Sequence, residues 1–390
     1  MTVNRGRWLS YFLFLTMAVS SFVIIEPSPF DLFILLIIAI GFVFSMYNFS
    51  KEVIIPLLIL CIFLISNLLS MFFIKEIGQS IFFIAITFYL ALTWIGLIGM
   101  SELIEPLSLQ FVLHGYLISA CISAAIGILA YFHLLPSSEF FLMFGRAKAL
   151  FKDPNVFGPF LVVPALFSIS MAEMKEITFK KKVFYYILFL ILSVGVIISF
   201  SRAAWGNFAV SLFIYLSLFK RIYLKKRMYT FIFILLVGLP GILYFIQTPM
   251  VEDLLLSRLS YQNYDNDRFD TQLEAIGNGF DNPLGIGPGQ SETNFQRSPH
   301  SLYARLFTEN GIIGLISFVL FFLICAFKAY RSYWHTKGDR SVLYLVIFAS
   351  LIGIAFNSFF IDTLHWRHLW VLLAFAWFPT LASKEKKFKT

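Results

Sequence analysis

The chain has 390 residues, of which 59% are hydrophobic and only 13% are charged. A soluble domain carries about a quarter charged residues, because its surface has to be solvated. The composition therefore excludes a soluble enzyme, a disordered scaffold and a secreted disulfide-linked domain, and it indicates a polytopic membrane protein. The net charge of +8 then raises the question of which loops carry the basic residues.

Twelve apolar runs follow one another along the chain, each close to the length of about 20 residues that crosses a bilayer. We predict membrane-spanning helices at 8–25, 30–47, 53–73, 79–100, 110–134, 156–173, 183–200, 203–219, 228–248, 311–328, 342–361 and 366–382. Twelve spans place both termini on one side, and 20 of the 30 Lys and Arg residues lie on that side. Because cytoplasmic segments are enriched in Lys and Arg, we expect both termini in the cytoplasm. Nucleic acid is not needed to explain the positive charge.

Two external loops are long, at 135–155 and at 249–300. Loops of this length are usually functional, so the second one is where we expect the chemistry. We therefore predict an all-α polytopic membrane protein with one long external loop that contains short helices. We divide it into a segment 1–150, with the first five spans and an external loop, and a segment 151–390, with the remaining seven spans and the loop 249–300.

One basic residue lies between two predicted spans that have almost no loop between them. Arg202 follows Phe200 and Ser201 and precedes Trp205. A charge at this position has to lie at the membrane edge, facing either protein or a water-filled cavity. It either snorkels to headgroup phosphates or serves a function, and we favour the functional interpretation.

The loop 249–300 carries the signals of a short helix. Residues 265–267 (Asp-Asn-Asp) predict its beginning, and Gly277 and Gly279 predict its end. Arg268 then falls in the first turn, where a cation is unfavourable beside the helix dipole. This mismatch indicates an anionic partner, which is either a ligand or the neighbouring Asp residues.

A glycine-proline run (residues 282–289, Asn-Pro-Leu-Gly-Ile-Gly-Pro-Gly) follows this helix. Its tight turns bring backbone close to a ligand or to another helix. Residues 298–299 (Ser-Pro) predict the beginning of the next helix, with His300 in its first turn. A helix N-terminus favours anions, and histidine exchanges protons near neutral pH, so His300 is a candidate catalytic residue. Arg305 and Glu309 have the spacing of a local ion pair.

The order of these features resembles the O-antigen ligase and O-antigen polymerase superfamily of bacterial membrane glycosyltransferases. An S-R-x-A-W turn between two spans precedes a long external loop with an Arg and then N-P-x-G-x-G-x-G. H-S-L-Y and E-N-G-I-I-G-L follow at the head of the next span. Residues 153–158 are similar to a further segment of the family, so the motifs cover about residues 150–370. The resemblance implies a GT-C-like fold.

The resemblance also implies a substrate and a reaction. The donor is a glycan on undecaprenyl pyrophosphate, and the acceptor is a hydroxyl of a glycan or lipid on the outer face of the bacterial cytoplasmic membrane. Transfer is inverting and uses neither a metal nor another cofactor. The family's phosphate-binding arginines fall on Arg202 and Arg268, and its essential histidine falls on His300, although the common H-N of the family is here His300-Ser301. Further candidate substrate-binding residues are Arg297, Arg305, Asp362 and Arg367.

The residue types suit this chemistry. A pyrophosphate leaving group gathers negative charge, which two permanently charged guanidinium groups can bind bidentately. A histidine can take the proton of the acceptor hydroxyl as general base. No acidic pair and no His/Cys cluster stands near these residues in the sequence, so we predict no metal site.

Other functions are weighed against a polymerase that joins repeat units of a surface polysaccharide. A ligase would move the finished glycan to another acceptor, such as lipid A core, and a peptidoglycan-type glycosyltransferase is a more distant alternative. A flippase or transporter for lipid-linked sugars is the alternative from another class. Transporters usually carry acids near the bilayer midplane, whereas Asp31, Glu173 and Asp362 lie at span ends. We expect the bilayer and other polysaccharide assembly proteins as partners.

Overall fold

The computed structural model describes residues 2–104, 108–260, 263–295 and 298–379. Within these ranges the chain is helical, apart from one antiparallel hairpin of the strands β1 (Leu142–Met143) and β2 (Arg146–Ala147). The α-helices are α1 (Thr2–Ala18), α2 (Pro29–Val43), α3 (Ile54–Ser70), α4 (Ile77–Gly99), α5 (Ser108–Tyr131), α6 (Pro154–Ala172), α7 (Phe179–Ile198), α8 (Arg202–Ser217), α9 (Leu224–Phe233), α10 (Leu239–Ile246), α11 (Pro249–Leu259), α12 (Asn263–Asp281), α13 (Ser291–Asn294), α14 (Leu302–His335), α15 (Ser341–Asn357) and α16 (Arg367–Phe375). A π-helical turn, Ile234–Gly238, joins α9 to α10, and shorter 3-10 turns cover Lys51–Val53, Met71–Phe73, Ser101–Leu103, Ser138–Phe141 and Arg221–Tyr223.

The all-helical membrane architecture is confirmed. A helix lies in each of the twelve segments predicted to span the membrane. In the part of the chain that the structure describes, seven helical stretches are long and apolar enough to cross a bilayer, namely Lys51–Phe73, Ile77–Leu103, Ser108–Tyr131, Pro154–Ala172, Phe179–Ile198, Arg221–Ile246 and Leu302–His335. Pro29–Val43 and Ser341–Asn357 are shorter apolar helices. The count of twelve spans and the cytoplasmic position of the termini stay predictions.

Helices from both sides of residue 150 pack into a common core. α14 packs against α3, α16 packs against α4, and α5 packs against α6 and α7. α6 is buried along almost its whole length, whereas α9 and α10 expose most of their apolar residues. Close approach of α8 and α15 depends on Gly353, because a Cβ atom there would lie 1.9 Å from the hydroxyl oxygen of Ser211. The division into segments 1–150 and 151–390 stays a prediction.

Side-chain caps fix where the helices around the site begin. Asp153 caps α6, Ser201 caps α8 and Ser301 caps α14, and the side chain of each accepts a hydrogen bond from a backbone N–H of the first turn. The prediction that residues 298–299 begin a helix with His300 in its first turn is therefore wrong. His300 precedes α14 and has a φ of 24°, which cannot continue into a right-handed helix.

The helix predicted in the external loop exists, but its predicted bounds are wrong. α12 begins at Asn263, so Arg268 lies in the second turn rather than in the first. The helix also continues through Gly277 and Gly279 to Asp281. A Cβ atom at Gly279 would lie 2.6 Å from the ring of Phe307, so this glycine permits packing against α14 instead of ending α12.

The glycine-proline run packs against a break in α14. The break is at Gly311, whose φ of 69° and ψ of −174° are not helical. The backbone amides of Ile286 and Gly287 donate to the carbonyls of Thr308 and Glu309, at 2.9 and 3.0 Å. These bonds satisfy carbonyl groups that the broken helix leaves open. The close backbone approach predicted for this run is thus made to another helix.

Candidate active site

His300 lies in the link between α13 and α14, with an exposed side chain and a left-handed backbone. Its pKa is lowered from the ordinary value, first because surrounding protein excludes water from part of the ring. The positive charges of Arg268 and Arg305 lower the pKa further, while Glu292 and Asp153 act in the opposite direction. The ring is therefore neutral at physiological pH and can accept a proton.

The Arg305 cluster lies at the beginning of α14. Arg305 is only 3% exposed, and its guanidinium group contacts the carboxylate of Glu292 and donates to the hydroxyl of Ser298. Its Nη1 lies 3.2 Å from Oδ2 of Asp362, and its Nε lies 3.9 Å from Oε1 of Glu309, which confirms the ion pair predicted within the helix. Three carboxylates thus surround this cation, so its contacts hold protein segments together.

Glu309 and Gln290 anchor the chain that leads to His300. The buried carboxylate of Glu309 accepts hydrogen bonds from the backbone amides of Gly289, at 2.7 Å, and Ser291, at 3.2 Å. The fully buried side chain of Gln290 donates to the hydroxyl of Ser80 in α4, at 2.9 Å. The segment between the glycine-proline run and His300 is therefore tied to both α14 and α4.

Arg268 is half-buried on α12, which packs against α14. The hydroxyl of Thr308 donates to the carbonyl of Ala275 at 2.6 Å and fixes the two helices side by side. This packing brings the charge of Arg268 close enough to His300 to lower the pKa of the histidine.

Arg202 is the first residue of α8 and is half-buried. The turn before it is held by Arg146, a residue of the β2 strand that is 9% exposed. Nε of Arg146 donates to the carbonyl of Ser199 at 2.9 Å, and its Nη2 donates to Oδ1 of Asn155 at 2.8 Å. Arg146 therefore joins the turn that carries Arg202 to the beginning of α6, whose cap residue acts electrostatically on His300.

Residues 187–319 match the family model described as O-Antigen ligase. This segment is therefore similar to an O-antigen ligase domain. The matched residues run from α7 into α14 and include Arg202, Arg268, His300 and Arg305. The match confirms the resemblance inferred from the sequence. No curated protein matches the chain.

Arg367 lies outside the residues that this family model matches and forms its own network. Its Nε and Nη2 bind the two carboxylate oxygens of Asp31 at 2.6 and 2.8 Å, and Nη2 lies 3.5 Å from Oε1 of Glu26. This fork joins α16 to α2. His365 lies within electrostatic reach of Arg367 and of Arg305, and burial is the largest cause that lowers its pKa, to about 4.

The structure thus brings most of the predicted site residues to one end of the helices. The charges of Arg268 and Arg305 act on His300, and Arg305 forms an ion pair with Asp362. Arg202 lies on a turn that Arg146 fixes to the beginning of α6. The contacts of Arg367 are with α2 and with the segment before it. Arg297 lies outside the residues that the structure describes.

Sequence reasoning missed three residues of this region. Arg146 belongs to no motif of the loop 135–155, and nothing in the sequence near Glu292 indicates that it contacts Arg305. Asp153 belongs to a motif, but its effect on His300 depends on tertiary packing. In the ranges that the structure describes, no group of three or more His, Cys, Asp or Glu side chains is arranged to hold a metal ion.

Proposed function

We propose that this chain is a membrane glycosyltransferase that polymerises repeat units of a surface polysaccharide. The donor glycan is carried on undecaprenyl pyrophosphate, and transfer takes place on the outer face of the bacterial cytoplasmic membrane. The observation that carries the proposal is the environment of His300. A neutral, accessible imidazole lies beside Arg268 within the segment that is similar to an O-antigen ligase domain.

In the proposed step, one ring nitrogen of His300 accepts the proton of the acceptor hydroxyl. The acceptor oxygen attacks the anomeric carbon of the donor sugar from the face opposite the leaving group, so the configuration inverts. The new C–O bond forms as the bond between the anomeric carbon and the pyrophosphate oxygen breaks. The lipid pyrophosphate leaves with the bonding electrons, and no metal is required for the balance of the step.

The arginines have two different roles in this proposal, namely binding of the pyrophosphate and positioning of the site. Arg202 and Arg268 bind the oxygens of the pyrophosphate and stabilise the charge that develops on them. Arg305 positions the site, because its guanidinium group already contacts Glu292, Asp362 and Glu309. Arg367 likewise positions α16 through its fork on Asp31.

A ligase is the second candidate, and the description of the matching family model favours it. A ligase would use the same base and the same arginines but would take a foreign acceptor, such as lipid A core. Donor activation is common to both reactions, so the acceptor distinguishes them.

The test uses purified protein in detergent with a lipid-pyrophosphate-linked oligosaccharide, resolved on a gel. A ladder of lengthening glycans without a further acceptor is the result that the proposal predicts. Turnover only after addition of a foreign acceptor would establish the ligase. Absence of turnover with every acceptor, together with movement of the donor across vesicle membranes, would establish a flippase and overturn the proposal.

A further inference from the structure

A polar cavity lies at the ends of the helices farthest from His300. Its volume is about 610 Å³, and α5, α6, α7 and the link between α14 and α15 surround it. α6 begins beside the site and ends at this cavity, and its 19 residues extend about 28 Å at 1.5 Å per residue. This length is close to the thickness of a hydrocarbon core, so the cavity and His300 lie at opposite faces of the membrane-crossing region.

Positive charge predominates around this cavity, which we call the basic cavity after the four basic residues that line it. In the described part of the chain, none of its four basic side chains forms an ion pair with an acidic side chain. Two acidic residues also line it, and one of them, Glu176, is exposed. The basic lining residues are Lys175, Lys181, Lys337 and Arg340.

The other acidic residue, Asp339, is held by contacts outside the four basic side chains. Its Oδ2 accepts a hydrogen bond from the backbone amide of Lys175 at 2.5 Å and lies 3.9 Å from Nζ of Lys226. Its Oδ1 accepts a hydrogen bond from the hydroxyl of Tyr223 at 3.3 Å. Lys226 does not line the cavity, so it balances Asp339 and leaves the lining cations available to an anion.

One of the helices that line the basic cavity also exposes an apolar face. The lining of the cavity includes the apolar side chains of Met171 and Ile177. α7 contributes Lys181 to the lining, while on another face of the same helix Phe179 is 79% exposed and Val183 is 40% exposed. Large apolar side chains with this exposure on a spanning helix face acyl chains. The basic cavity is therefore lined in part by a helix whose other face contacts acyl chains.

We propose that the basic cavity binds the phosphate headgroup of an anionic phospholipid, on the face opposite the glycan-transfer site. Its volume lies in the range of about 300–1,000 Å³ that ligand pockets have. Basic cavities between membrane helices on the cytoplasmic side bind such headgroups, each cation contributing about 1 kcal/mol of attraction near the surface. The shared recognition chemistry, cations around a phosphate, would also accept inorganic phosphate, and the experiment separates these two sources.

The experiment measures binding to purified full-length protein in a neutral detergent. The probes are cardiolipin, phosphatidylcholine and inorganic phosphate, followed by native mass spectrometry and by the shift in melting temperature. The variants are Lys181→Gln and Lys337→Gln. Lys180→Gln is the matched control, because Lys180 is exposed on α7 but does not line the basic cavity.

We expect cardiolipin to bind the native protein more tightly than phosphatidylcholine does. Each lining substitution weakens this binding about fivefold, and Lys180→Gln leaves it unchanged. Equal losses for all three variants would show a general surface attraction and overturn the proposal. Equal binding of both lipids, or competition by inorganic phosphate at the concentration at which cardiolipin binds, would overturn the assignment to a phospholipid.

Discussion

At the scale of residues, the site depends on two arginines that do different work close to one histidine. Arg305 is buried among carboxylates, whereas Arg268 is half-buried and acts on His300 mainly through its charge. Sequence spacing shows only the partner of Arg305 at i+4, Glu309. Glu292 precedes Arg305 across a turn and Asp362 follows it after two further spans, so neither contact can be read from local patterns.

The pH dependence of transfer tests the role of His300. Because the pKa of His300 is lowered, the neutral base persists below the pH at which an ordinary histidine becomes protonated, about 6.5. As pH falls through the lowered pKa, the ring gains a proton and kcat/KM falls. We expect Arg268→Gln to raise the pKa of His300 and move this acid limb to higher pH, and Glu292→Gln to move it to lower pH.

The control for this pH profile is Glu274→Gln, an exposed position on α12 that is not among the charges acting on His300. We expect the acid limb of kcat/KM for Glu274→Gln to lie at the same pH as that of the native protein. An acid limb that Arg268→Gln and Glu292→Gln leave unmoved would assign the limb to a group other than His300.

Substitution of Arg305 and Arg268 by Met separates positioning from binding. Arg305→Met leaves the buried carboxylate of Glu309, and its neighbours Glu292 and Asp362, without their cation. This costs on the order of 3 kcal/mol in the free energy of unfolding and lowers the melting temperature in detergent. Arg268→Met keeps the melting temperature close to that of the native protein but lowers kcat/KM. The opposite pattern, with a stable Arg305 variant and an unfolded Arg268 variant, would contradict these roles and would make Arg268 the positioning residue.

At the scale of elements, the glycine-proline run supplies the hydrogen-bond donors that the broken helix α14 lacks. The sequence predicted the turns of this run. It did not predict which part of the protein the run contacts, because its hydrogen-bond partners lie on the following helix, α14. The beginning of α14 also escaped prediction. The helix is capped by Ser301 rather than by Ser298, and the amide of Leu302 donates a hydrogen bond to the carbonyl of Ser358, in the segment after α15.

Two glycine substitutions test this element. Gly285 has a φ of 84°, and a Cβ atom there would lie 2.3 Å from the carbonyl oxygen of Glu309, so Gly285→Ala costs at least about 2 kcal/mol in stability. Gly277→Ala is the matched control, since no atom lies within 4 Å of the added Cβ and alanine favours a helix. Thermal unfolding in detergent distinguishes them, and equal melting temperatures would mean that the run does not hold the break in α14.

At the scale of the whole molecule, composition and apolar run length predicted a helical membrane protein and a helix in each of the twelve apolar segments. The pairing of helices remote in sequence, such as α3 with α14 and α4 with α16, could not be predicted, because apolar side chains pack in many alternative ways. The site depends on these pairings, since Asp153, Arg202, His300 and Asp362 come from separate segments of the chain.

The orientation of the molecule in the membrane is testable with one introduced cysteine at a time. Glu139, in the loop 135–155, and Lys337, in the link between α14 and α15, are exposed at positions predicted to lie on opposite sides. We expect an impermeant maleimide to label Glu139→Cys in intact cells and Lys337→Cys only after permeabilisation. The protein with only its native cysteines is the control, and labelling of both variants in intact cells would contradict the predicted topology.

The most direct test of the central claim is glycan transfer by His300→Ala, measured together with binding of the lipid-pyrophosphate donor to the same purified sample. The account predicts that transfer falls by about a hundredfold to ten thousandfold while the donor still binds and the melting temperature is retained, because only the base is removed. Transfer at the native rate would contradict the role of His300, and loss of the folded protein would make His300 a structural residue.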